Sequence, residues 1–128
     1  MDWVVIVDDD DEARTMTAQV LKDEGMKVTC LASGYALLDY MEGMTPLPDL
    51  ILLDIVMPEM DGFETLGKLR EKGGSESKIP VIFLTGMTEK NTVIRTLTEL
   101  KPQGYIIKPS KKSEIVAKII DVFEDELS

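Results

Sequence analysis

A chain of 128 residues, 44% of them hydrophobic, is long enough for one packed core and too apolar for disorder. Its 24 acidic and 14 basic residues leave a net charge of −10, which repels phosphate backbones and anionic bilayers and argues against nucleic acid or a membrane as partner. The one cysteine excludes an internal disulfide and suggests no thiolate metal site, and the absence of histidine removes imidazole bases, imidazole ligands and an internal phosphohistidine.

Trp3 to Val7 is an unbroken, mostly β-branched apolar run and predicts a buried strand. Asp8, Asp9, Asp10 and Asp11 follow at once. From Glu12 the pattern turns helical, with Ala13, Met16, Val20 and Leu21 at spacings of three and four. Asp10 or Asp11 suits the N-cap, and Gly25 stops the helix. Lys27 to Leu31 predicts a second strand. Cys30 falls within it and is expected to be an inert core thiol. A helix through Leu37, Tyr40 and Met41 follows, closed by Gly43 and Pro46.

Leu50 to Leu53 is a short apolar run that suits a strand covered on both faces, and Asp54 closes it with a carboxylate. Pro58 and Asp61-Gly62 force a turn before a third helix marked by Phe63, Leu66 and Leu69 and ended by Gly73-Gly74. Val81 to Leu84 is the fourth strand, closing on Thr85-Gly86. A fourth helix runs through Val93, Leu97 and Leu100 to Pro102. Gly104 to Ile107 is the fifth strand, ending at Lys108-Pro109. Ile115, Val116, Ile119, Ile120 and Phe123 make a strongly amphipathic last helix.

Five strands alternating with five helices predict an α/β fold: a doubly wound (βα)5, flavodoxin-like domain over residues 1–128. Its five-stranded parallel sheet takes the order 2-1-3-4-5, with helices on both faces. No linker or output module is visible. No apolar run approaches the ~20 residues of a membrane span, and Met1-Asp2-Trp3 lacks the flank of a signal peptide. The expected compartment is a reducing cytoplasm.

In that order the first and third strands are neighbours, ~4.8 Å apart, so Asp8, Asp9 and Asp54 crowd one spot. At 4 Å and an effective dielectric of 20, each like-charged pair costs about 4 kcal/mol, and a compensating cation is expected. Hard oxygen ligands with room for water favour Mg²⁺. Four strand ends bring useful chemistry: Asp8-Asp9, Asp54, Thr85 and Lys108. Lys108 offers a point charge, Thr85 a hydroxyl, and Gly86 an open backbone. A carboxylate so flanked suits a phosphoryl acceptor. An EF-hand does not fit, because taking Gly62 as the turn glycine puts Met57 at the first ligand position.

The segments Val7-Asp8-Asp9-Asp10, Leu53-Asp54-Ile55-Val56-Met57-Pro58-Glu59-Met60-Asp61-Gly62, Leu84-Thr85-Gly86 and Tyr105-Ile106-Ile107-Lys108-Pro109 resemble the receiver domain of two-component response regulators, over essentially the whole chain. The resemblance implies a phosphorylation-activated signalling switch rather than a turnover enzyme. Asp54 would accept a phosphoryl group from a phosphohistidine on a sensor histidine kinase or phosphotransfer protein. Asp8, Asp9 and Asp54, with the backbone carbonyl of Val56, would hold Mg²⁺. Thr85 and Gly86 would meet the phosphoryl oxygens, Lys108 would pair with acceptor and phosphate, and Tyr105 would follow the switch. The surface of the fourth helix, fifth strand and fifth helix would then bind a downstream target, the protein being a monomer or a phosphorylation-dependent dimer.

Two stretches depart from the pattern. Asp11 stands where many receivers have proline, and Leu100-Lys101-Pro102-Gln103-Gly104 replaces a commoner Gly-Ala-containing stretch. Other readings stay open at this level. Asp8 and Asp9 also suit helix-capping acids, Thr85 a loop hydroxyl, and Tyr105 a core aromatic. Asp8-x-Asp10 with Thr85 and Lys108 faintly resembles a haloacid-dehalogenase-like phosphohydrolase, although Glu12 breaks that motif. A degenerate receiver acting as a scaffold is the third alternative.

Overall fold

Residues 2–43, 46–74, 78–85, 104–107 and 112–127 are described in the computed structural model, with positions 85, 105, 107 and 125–127 described by their backbone alone. The sheet comprises β1 (Trp3–Val7), β2 (Lys27–Leu31), β3 (Leu50–Leu53), β4 (Val81–Thr85) and β5 (Gly104–Ile107), all parallel, in the order β2-β1-β3-β4-β5. The described helices are α1 (Asp11–Asp23), α2 (Gly34–Met41), α3 (Gly62–Glu71) and α4 (Lys112–Leu127). The expected helix through Val93, Leu97 and Leu100 lies outside the described residues, as do Gly86 and Lys108.

Alternation along the central strands sorts their side chains onto two faces. Val5 and Val7 of β1, with Ile51 and Leu53 of β3, pack under Leu37 and Met41 of α2 and Phe63, Leu66 and Leu69 of α3. Val4, Ile6, Leu50 and Leu52 point the other way, under Ala18 and Leu21 of α1 and Ile115, Ile119 and Val122 of α4. The sheet is therefore covered on both sides, which explains why β1 and β3 read as continuous apolar runs. The architecture is a flavodoxin-like α/β fold.

Three expectations need correction. Met16 is 64% exposed; Thr17, Ala18 and Leu21 are the buried residues of α1, so the covered arc lies round the helix from where the apolar spacing put it. Ile120 of α4 is likewise exposed, and Val122 is buried in its place. Cys30 is exposed rather than a core thiol, because β2 is an edge strand that pairs, among the described strands, with β1 alone.

Candidate functional site

Register alone brings the acids together. Val7 of β1 pairs with Leu53 of β3, so the next residues, Asp8 and Asp54, leave adjacent strands at the same level of the carboxyl edge. The Asp54 N–H donates to the Val7 carbonyl at 2.9 Å and the Asp8 N–H to the Leu31 carbonyl at 3.1 Å, so both acids are tied into the ladder. Carboxylate oxygens of Asp8, Asp9 and Asp54 lie within 4.8 Å of one another. Asp8 and Asp54 are buried and Asp9 is exposed.

Local bonds fix how each chain leaves its strand. Asp10 is the N-cap of α1, its carboxylate accepting from the N–H groups of Glu12 and Ala13. This settles the choice between Asp10 and Asp11. Capping therefore falls to the third acid of the run, leaving Asp8 and Asp9 at the sheet edge. The Asp8 carboxylate accepts from the Asp10 N–H at 3.0 Å, a tight local turn that holds the acid still.

The segment after Asp54 is anchored by apolar residues. Ile55, Met57 and Met60 are buried, while Val56, Pro58 and Glu59 face outward. The Met60 N–H reaches the Pro58 carbonyl at 2.8 Å across Glu59, whose φ of 69° lies in the left-handed region. Gly62 closes the loop, its N–H donating to the Ile55 carbonyl at 2.7 Å. A Cβ here would press on the Asp54 carbonyl oxygen and lie 2.7 Å from Ile55 Cα, so only glycine lets α3 start this close to the acid. Asp61 caps α3 through the Glu64 N–H at 2.9 Å.

The donor set fits a hard divalent cation. Octahedral ligands about 2.1 Å from Mg²⁺ stand roughly 3 to 4 Å apart. Small side-chain adjustments bring oxygens within 4.8 Å of one another to that spacing. Two buried acids and one exposed acid leave part of a coordination shell to water. Val56 exposes its side chain and follows Asp54 by two residues, so only its backbone carbonyl is a candidate ligand. Thr85 ends β4 in register with Ile107, the residue before Lys108, and Tyr105 pairs with Phe83; the side chains of Thr85 and Tyr105 are not among those described.

Sequence reasoning missed Arg14. Its Nη1 donates to the Asp8 carbonyl oxygen at 2.6 Å, and its Nη2 meets the Asp11 carboxylate. The only advance sign was a cation one turn into a helix that begins with acids. A surface groove of about 510 Å³ lies elsewhere, between α1 and α4, lined by residues such as Val20, Asp23, Lys112 and Ile120. None of the three clustered acids lines it.

The response regulator receiver domain model matches residues 4–120. A 14.6 kDa protein of Leptolyngbya boryana is 40% identical over 113 residues, 88% of this chain and 83% of that protein. The DNA-binding response regulator MtrA of Mycobacterium tuberculosis is 33% identical over 116 residues, 91% of this chain and 48% of its own length. This chain thus spans about half the length of MtrA. Among solved structures, the chemotaxis protein CheY4 of Vibrio cholerae superposes with a TM-score of 0.85 at 28% identity, covering 95% of this chain and 98% of that one. With the family pattern running from β1 into α4 and the acidic cluster at the sheet edge, the chain belongs to the response regulator receiver domain family.

Proposed function

We propose that this receiver domain is a phosphorylation switch with Asp54 as acceptor. The observation that carries the proposal is the convergence of Asp8, Asp9 and Asp54 from the ends of two adjacent strands. Receiver domains bind Mg²⁺ at an acidic pocket, and here Asp8, Asp9, Asp54 and the Val56 carbonyl would hold it. Bound there, the ion would supply positive charge that offsets the carboxylates and the transferring phosphoryl oxygens.

Asp54 then attacks the phosphorus of a phosphohistidine on a sensor kinase or phosphotransfer protein. A P–O bond forms to the carboxylate and the P–N bond breaks, its electron pair staying on the ring nitrogen, so that a phosphohistidine protonated on its other nitrogen leaves as neutral imidazole. The protein scaffold contributes mostly position: β3 and the Gly62 turn hold Asp54 fixed. Lys108 pairs with the phosphoryl group, Thr85 and Gly86 engage its oxygens, and Tyr105 follows Thr85 inward. The surface that carries β5 and α4 would change with them and meet the downstream target. Residues 1–128 act as one cytoplasmic receiver unit, and any output lies in a partner or in another domain.

Phosphorylation would be single-turnover. Incubation with a small acyl phosphate and Mg²⁺, followed by intact mass and phosphate release, separates the alternatives. One phosphoryl group per chain, lost slowly, is expected. Continuous phosphate release without adduct would mark a haloacid-dehalogenase-like hydrolase. No adduct under any condition would mark a scaffold.

A further inference from the structure

We propose that Arg14 is a positioning residue for the cation site: it shapes the Asp8–Asp11 segment so that Mg²⁺ binds a preformed set of oxygens. The proposal rests on the metal-site assignment above and concerns a residue that does not itself touch the ion.

Arg14 lies one turn into α1, and its own N–H donates to the Asp10 carbonyl at 2.9 Å. Its guanidinium folds back over the helix start. Nη1 reaches the Asp8 carbonyl oxygen at 2.6 Å, and Nη2 takes the Asp11 carboxylate. The side chain is only 16% exposed, although Asp11 is 90% exposed. The carbonyl bond is therefore the better sheltered of the two, and the Asp11 contact is a screened surface pair.

Together with the Asp8 N–H bond to Leu31, both backbone polar groups of Asp8 are held. The Asp8 carboxylate is held separately by the Asp10 N–H. Asp9 is thereby strung between two fixed residues. Its exposed side chain has little else among the described contacts to set its direction. A rigid fork suits this task, because one guanidinium satisfies two acceptors at a fixed angle.

Charge and geometry predict opposite signs. Arg14 is a cation close to a cation site, so electrostatics alone makes its loss tighten Mg²⁺ binding. Loss of positioning weakens it, because the acids must then be ordered on binding. Groups that orient metal ligands from outside the shell typically matter 10- to 100-fold.

The test is calorimetric titration with Mg²⁺ of wild type, Arg14→Met and Arg14→Lys, each shown folded by circular dichroism, at low and high KCl. The expected result is a Kd raised about tenfold in Arg14→Met at both salt levels, with part of the affinity restored in Arg14→Lys. An unchanged or lower Kd in Arg14→Met, with wild type binding normally, overturns the inference alone. No Mg²⁺ binding by wild type overturns the metal site as well. If Arg14→Met does not fold, Arg14→Gln, too short to span both acceptors, decides: a raised Kd supports positioning, and a wild-type Kd overturns it.

Discussion

Asp54 is a buried carboxylate beside a second buried carboxylate and an exposed third. In the absence of metal those like charges raise the energy of the folded state, and asparagine relieves the repulsion while keeping shape and hydrogen-bonding capacity. Asp54→Asn is therefore expected to stabilise the metal-free protein by about 1 kcal/mol, ~3–5 °C in melting temperature, while abolishing phosphorylation. A melting temperature clearly below wild type would contradict the crowding of the acids. Asp9 is the exposed acid of the cluster and, if it is a ligand, Asp9→Ala is expected to raise the Kd for Mg²⁺ at least about tenfold; calorimetry giving the wild-type value removes Asp9 from the shell. Glu59 holds a φ of 69°, a conformation that costs an L-residue about 1–2 kcal/mol. Against the extra unfolded-state freedom of glycine, Glu59→Gly should be neutral or up to about 1 kcal/mol stabilising in urea, and Glu59→Val destabilising by more than that. Equal midpoints for the two variants would show that no strain resides there. The sequence announced a turn through Pro58 and Gly62, but not that the left-handed residue would be a glutamate. Nor did it distinguish Arg14 from an ordinary helix-surface arginine, since periodicity carries no information on a side chain that folds back onto its own N-terminus.

At the scale of elements, the placement of Asp54 depends on how closely α3 approaches the end of β3. Gly62 begins α3 against the main chain of Asp54 and Ile55, atoms that cannot rotate aside. Gly62→Ala is expected to cost about 2 kcal/mol of stability and to weaken Mg²⁺ binding by shifting Asp54; wild-type values of both would show that the contact is loose. Gly34 plays a related part at the start of α2, where a Cβ would collide with Thr65 Oγ1 and stand 2.8 Å from Met60 Cε. The central strands were legible because β1 and β3 are buried on both faces and so read as unbroken apolar runs. Helix faces were less legible. A 3.6-residue period identifies an apolar arc but not which edge of it the sheet covers, and Met16 and Ile120 fell outside the covered part. Cys30 failed for a topological reason: an edge strand has a neighbour on one side only, and its sequence does not say so.

For the whole molecule, the parallel order puts the two acid-bearing strand ends side by side, 46 positions apart in sequence. The candidate site was legible where it depends on backbone register, which delivers Asp8 and Asp54 to one level of the sheet edge. Its finer geometry was not, because hydrogen bonds around Asp10, Arg14 and Gly62 decide how each acid leaves its strand. If Asp54 is the acceptor, its carboxylate becomes an acyl phosphate in a cation-dependent step. Peptide mapping after incubation with an acyl phosphate measures this directly. The predicted result is a single phosphoryl group on the peptide carrying Asp54, formed with Mg²⁺, absent when the metal is chelated, and absent in Asp54→Asn. A phosphoryl group on any other residue, or one formed equally without Mg²⁺, would contradict it.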